Sequence, residues 1–278
     1  MRIPFSQIDA FATASFSGNP AAVMPLAEWL PDAQLQAIAE ENNLAETAFL
    51  RPHDNPAIAE FELRWFTPAV EVALCGHATL ASGHLILDAL PELPMVRFLT
   101  RQSGVLSVAR GTDGQYEMAL PALPAHTEAA KAMAAQLAAA LGAEPAEVWL
   151  RGDQYCLAVF EHAHEVRALK PDMKSLIQLL DPAAMFIATS LGLGDGSGAQ
   201  VISRVFVPGA GIDEDSVTGS AHCVLAPYWS ARMGRESFSA YQASKRGGHI
   251  GCRMAGTQVV LTGRCRTVIE GEFILASA

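Results

Sequence analysis

The sequence predicts an α+β protein built from two similar halves. Short strand-like runs outnumber helices, and the two alternate in neither a strict β-α-β rhythm nor a meander. One strand–loop–glycine segment occurs twice, about half a chain apart. Hydrophobic residues make up 50% of the 278 and charged residues 17%, which supplies a large core and excludes a disordered chain.

Ile3–Phe11 has the apolar content of a strand, and Ser17-Gly18-Asn19-Pro20 is a turn. Ala21–Met24 resumes as a short buried strand. Pro31-Asp32 opens a helix that runs to Glu41, with Leu35, Ile38 and Ala39 on one face. Strands are expected at Ala45–Arg51 and Glu60–Phe66, a loop at Thr67–Gly76 and a helix at Thr79–Leu90. Arg97–Ala109 and Gln115–Leu120 pair across the turn Gly111–Gly114. Pro121–Pro124 is a linker, so residues 1–122 form one domain and 123–278 the other, with the last strand free to pack on the first. The second half opens with an alanine-rich helix, Glu128–Leu141, closed by Gly142. Strands follow at Glu147–Leu150 and Gln154–Phe160, then a helix at Met173–Leu180. Ala184–Thr189, Gln200–Phe206 and several runs within Gly248–Phe273 complete the strands.

The repeat is specific. Arg64-Trp65-Phe66-Thr67-Pro68 is followed by Glu71 and then Cys75-Gly76-His77-Ala78. Arg204-Val205-Phe206-Val207-Pro208 is followed by Asp213-Glu214-Asp215 and then Thr218-Gly219-Ser220-Ala221. The arginines are 140 residues apart and the glycines 143, against a half-length of 139. The second loop therefore carries three extra residues. In each copy a glycine starts a helix after a strand and a loop. Glycine lets a ligand approach the backbone, and the first N–H groups of a helix point outward at an anion. Two such ends facing each other would form a cleft able to seat a carboxylate without Lys or Arg. Read singly, either glycine could equally serve tight strand-to-helix packing.

Glu46, in the apolar run Asn43–Phe49, is the first acid–base candidate. Ala45 and Thr47 fall on the opposite strand face, so Glu46 points either at solvent or at a polar cleft. Partial burial of a carboxyl disfavours its charged form, which suits a proton shuttle. His77 could bind or polarise a substrate oxygen, or cap its helix. Asp215 ends an acidic triplet that could equally be a solvated turn, and Ser220 could be a helix cap. No G-x-S-x-G elbow, EF-hand ligand set or G-x-G-x-x-G after a strand is present. With 19 Lys+Arg against 29 Asp+Glu, the net charge of −10 argues against nucleic-acid binding. The N-terminus lacks the charge and apolar pattern of a signal peptide, and no apolar stretch is long enough to span a membrane. Five cysteines without a C-x-x-C pair fit neither a disulfide framework nor a structural metal site. A cytoplasmic protein is expected.

Asp9-Ala10-Phe11, Gly18-Asn19-Pro20-Ala21-Ala22-Val23, Asn43–Phe49, Arg64–Pro68, Cys75–Thr79 and Glu214–His222 together resemble the PhzF family of phenazine biosynthesis. These motifs run in the family's order over most of the chain. The resemblance implies a duplicated diaminopimelate-epimerase-like fold, each domain a sheet wrapped around a central helix, with the active site between them. It implies an isomerase without cofactor or metal, acting on trans-2,3-dihydro-3-hydroxyanthranilate in the characterised activity, and a homodimer. By the same resemblance Glu46 is the proton shuttle, and His77 and Asp215 hold and polarise a small anionic substrate with Ser220. The backbone of Gly76 and Gly219 takes its carboxylate. Ser216 departs from the family, which often has Pro there. A two-thiol racemase on the same fold is the competing expectation, because Cys75 precedes Gly76. The second half has Thr218 at that place and Cys223 one helical turn further in. A binding protein without activity would be marked by an exposed apolar surface or by the loss of a site residue, and all four side chains (Glu46, His77, Asp215 and Ser220) are present.

Overall fold

A computed structural model describes residues 1–276. The chain separates into two units, Met1–Ala119 with the stretch from Thr262 onward, and Leu120–Leu261. The separation falls three residues before the expected 122/123 boundary, and the chain leaves the second unit after Leu261.

The first unit contains β1 (Arg2–Ala10), β2 (Asn19–Pro25), α1 (Asp32–Asn42), β3 (Glu46–Pro52), β4 (Phe61–Phe66) and β5 (Glu71–Val72). They are followed by α2 (Gly76–Ala89), β6 (Met95–Thr100), β7 (Val105–Arg110) and β8 (Tyr116–Pro121), where the unit ends. The second unit contains β9 (Thr127–Glu128), α3 (Lys131–Leu141), β10 (Glu147–Arg151), β11 (Tyr155–Val159), α4 (Ala163–Ala168) and α5 (Met173–Leu176). Next come β12 (Met185–Leu191), β13 (Val201–Phe206), a 3-10 turn (Pro208–Ala210), β14 (Glu214–Asp215) and α6 (Gly219–Met233). β15 (Ser237–Gln242), β16 (Gly248–Ala255) and β17 (Gln258–Gly263) close it, and β18 (Cys265–Ile274) pairs antiparallel with β1.

The two units share one pairing scheme. In the first, β1, β2, β3, β4, β6 and β7 pair in that order as antiparallel, parallel, antiparallel, parallel and antiparallel neighbours. In the second, β10, β11, β12, β13, β15 and β16 repeat the same sequence of senses. Register fixes the equivalences residue by residue. Phe66 faces Thr47 and Glu71, and Phe206 faces Phe186 and Glu214. Leu63 faces Thr100, and Ser203 faces Gln242. The repeat read from sequence is thus a repeat in structure, and the 3-10 turn Pro208–Ala210 lies within its longer second loop.

Each unit has a nearly enclosed helix. Small residues along α2 let the sheet close round it, and Gly76–His84 are all buried. Its hydroxyls are satisfied locally: Thr79 Oγ1 donates to the Cys75 carbonyl at 2.6 Å and Ser82 Oγ to Ala78 at 2.8 Å. α6 contains Pro227, which has no N–H to give the Cys223 carbonyl four residues back. The Leu123 N–H donates to that carbonyl instead, at 2.9 Å.

Several boundaries differ from the expectations. Arg97–Ala109 is not one strand: β6 and β7 are split by a turn at Arg101–Gly104, where Gly104 has φ +68°. The helix expected from Glu128 starts at Lys131, because Thr127 and Glu128 pair with β10. The helix expected over Met173–Leu180 is four residues long, and after it Gln178 and Leu179 donate to carbonyls three residues back. α2 begins at Gly76, three residues before the expected Thr79.

Candidate active site

Glu46 opens β3 directly after the left-handed residue Asn43 ends α1. His77 is the second residue of α2. These residues are 31 apart in sequence, and the fold places Glu46 Oε2 3.0 Å from His77 Nε2. His77 is buried and the Glu46 side chain is 19% exposed. The ring N–H is not directed at the carboxylate oxygen, so the contact is an ion pair without hydrogen-bond geometry, and neither atom has another hydrogen-bond partner among the described residues.

On the other ring nitrogen, Asn19 Nδ2 lies 3.1 Å from His77 Nδ1 and Cys75 Sγ lies at 3.5 Å. Burial works against a charged His77, but the Cys75 sulfur and the Glu46 carboxylate beside it override burial and hold its pKa well above the ordinary histidine value. The sequence marks Asn19 as part of a turn and of a family motif, without a role for its side chain. Cys75 is pushed up, first by burial and then by Glu46. Donor atoms of Glu46, Cys75 and His77 lie within 4.8 Å of one another, close enough for a metal ion.

The second unit repeats this frame with different chemistry. Tyr155 faces Met185 across β11 and β12, as Ala21 faces Glu46 across β2 and β3. Met185 therefore stands where the first unit has Glu46. Gly219 starts α6 as Gly76 starts α2, so Ser220 stands for His77 and Thr218 for Cys75. The contact recurs too: Ser220 Oγ lies 3.5 Å from Met185 Sδ. Asp215 corresponds to Val72 and is half-buried beside Thr218, whose hydroxyl donates to Asp215 Oδ2 at 2.6 Å. His222, the counterpart of Thr79, donates from Nδ1 to the Thr218 carbonyl at 2.8 Å, and burial lowers its pKa to about 4. Cys223 is buried, its pKa pushed up to about 12 by burial, with Sγ 3.5 Å from the Gly219 carbonyl. It does not occupy the position equivalent to Cys75. None of the five cysteines is in a disulfide.

The two histidines should titrate in opposite ways. The folded-state pKa of His77 is raised, so its contribution to stability is complete below about pH 6.5 and is lost as pH rises through the folded value. Nitrogen-15 NMR of the imidazoles is expected to show His77 titrating above the ordinary histidine value and His222 neutral down to pH 5. A His77 that titrates below its ordinary value would contradict this electrostatic picture.

The fold defines a class first. It is shared by a hydroxyproline epimerase of Agrobacterium vitis, with a TM-score of 0.59 at 14% identity over 98% of this chain and 92% of that one, a likeness of fold alone. A solved PhzF-family phenazine biosynthesis protein of Enterococcus faecalis matches far better, with a TM-score of 0.88 at 36% identity over 99% and 100% of the two chains. An uncharacterized isomerase of Pseudomonas aeruginosa is 43% identical over 276 residues, 99% of this chain and 100% of that protein. The PhzC-PhzF family, described as phenazine biosynthesis-like protein, matches residues 8–271, and the chain belongs to it. Among the described residues no helix is long and apolar enough to cross a membrane.

Proposed function

We propose that the protein is an isomerase that moves one proton within a small carboxylate-bearing substrate of the dihydro-hydroxyanthranilate type. Glu46 takes the proton from one carbon and returns it to another. One C–H bond breaks, one forms, the double bond shifts, and no atom or electron is gained. His77, held charged, binds and polarises a substrate oxygen. Asp215 and Ser220 hold polar groups of the substrate, and the N–H groups of Gly76 and Gly219 take its carboxylate. The reading includes no cofactor or metal and a homodimeric assembly.

The observation that carries it is the asymmetry of the repeat. One copy has a carboxylate against an imidazole, and the other has Met185 against Ser220. A cofactor-independent racemase needs an acid and a base on opposite faces of its stereocentre. At the equivalent positions 46 and 185 the frame supplies one carboxylate, Glu46, against Met185, and its two thiol candidates, Cys75 and Cys223, are not at equivalent positions. A single shuttle acting on one face fits better.

Deuterium wash-in tests this with trans-2,3-dihydro-3-hydroxyanthranilate and a panel of small cyclic amino and hydroxy acids. Cys75→Ala is expected to keep most of the wild-type exchange rate. Its complete loss in that variant would favour thiol chemistry, and exchange into none of the compounds would favour a binding protein.

A further inference from the structure

Gln242 is the last residue of β15 and is completely buried. Nothing in its local sequence marks it. Its side chain nevertheless makes three hydrogen bonds to the turn that leads into α6. Oε1 accepts from the Thr218 N–H at 2.9 Å. Nε2 donates to the Asp215 carbonyl at 2.8 Å and to Thr218 Oγ1 at 3.1 Å. With its oxygen receiving from Gln242, the Thr218 hydroxyl proton is directed to Asp215 Oδ2, at 2.6 Å. The chain therefore runs in one direction, from amide to hydroxyl to carboxylate.

The duplicated frame shows that this is an addition to the scaffold. Thr100 occupies the place of Gln242 in the first unit, and it closes only its own turn, to Gly104 and Ser103. Val72 occupies the place of Asp215. The amide, the hydroxyl and the carboxylate thus occur together in one unit, and the other folds without them. A buried amide costs stability unless it is fully bonded, and this one makes both of its donations and an acceptance toward a single turn.

We propose that Gln242 and Thr218 are positioning residues that fix the carboxylate of Asp215 for substrate binding. The inference rests on the reading that Asp215 touches substrate. Thr218 Oγ1 holds Oδ2 and sets the carboxylate plane, while Gln242 locks both ends of the Asp215–Thr218 turn.

Two arms test it. In crystal structures, Thr218→Val and Gln242→Met are expected to show the Asp215 carboxylate rotated from its present place, while Thr218→Ser keeps it. An unmoved carboxylate in Thr218→Val overturns the inference, whatever the substrate is. In the wash-in assay with trans-2,3-dihydro-3-hydroxyanthranilate, Thr218→Val is expected to lower kcat/KM by about tenfold to hundredfold, the range for hydrogen bonds to charged groups. Thr218→Ser should restore it. The double variant Thr218→Val/Asp215→Ala should be no worse than Asp215→Ala alone, because the hydroxyl acts through that carboxylate. Additive losses overturn the inference. Full activity in Asp215→Ala would instead defeat the role given to Asp215, and exchange retained in Glu46→Gln would defeat the proton-transfer reading; neither result changes the crystallographic arm.

Discussion

Glu46→Gln is expected to reduce deuterium exchange by about 10³-fold, within the range of roughly 10²–10⁴ that a positioned acid–base group contributes. Glutamine preserves the shape of the side chain at the start of β3 and the register of Glu46 opposite Ala21. It removes the one property the proposed proton transfer needs, a carboxyl that can take and release a proton. It also removes one of the two neighbours that raise the His77 pKa, so the imidazole should move back toward its ordinary value. Glu46→Asp tests distance instead. Its carboxylate is withdrawn by one methylene, and a misplacement of about 1 Å can itself cost roughly 10² in rate. The expected order is therefore wild type, then Asp, then Gln, read by mass spectrometry of the recovered substrate. A Gln variant with more than a tenth of wild-type exchange would show that another group carries the proton.

Arg64→Ala is expected to lower unfolding free energy by about 3 kcal/mol, the lower end of the cost of breaking a buried ion pair. The Arg64 side chain is 3% exposed. It meets Glu71 through two hydrogen bonds of 2.8 Å, reaches Asp32 at 3.0 Å, and lies over the rings of Phe66 and Trp29. Burial opposes its charge, and Glu71 and Asp32 keep its pKa raised all the same. Truncation removes the two-hydrogen-bond partner of the Glu71 carboxylate, which keeps Arg101 at 3.2 Å and access to water at 23% exposure. Arg64→Met/Glu71→Leu removes both charges and should recover most of the loss, since an apolar replacement of a buried pair is often neutral. Urea titration followed by tryptophan fluorescence measures both variants. A loss below about 1 kcal/mol in Arg64→Ala would place the pair among ordinary surface ion pairs.

The duplication was legible because R-x-F-x-P sets the arginine two residues from the phenylalanine on one strand. Structure repeats the consequence: Arg64 lies 5.0 Å from the Phe66 ring and Arg204 4.9 Å from the Phe206 ring. The glutamates that pair with them could not be matched from sequence, because the second copy offers three acids in a row. Register settles that match, with Glu214 opposite Phe206. Arg204 then binds Glu214 at 2.8 and 2.9 Å, and Asp215 is left to the loop leading into α6. Glu46 and His77 were each visible as chemistry-bearing residues, but nothing local joins them; their contact comes from sheet closure round α2. Asn19 and Gln242 were missed for a related reason. An amide in a turn or at a strand end carries no pattern, and its partners are 58 and 24 residues away. The split at Arg101–Gly104 was missed because apolar residues continue on both sides of a four-residue turn.

The arginine–glutamate staple has a consequence for how such a chain could be remodelled. Both copies keep it, while the residues at 46 and 185, 77 and 220, and 72 and 215 all differ between them. What braces the frame and what is proposed to react are therefore different sets of side chains, so substitutions at the candidate site leave the contacts of the brace itself in place.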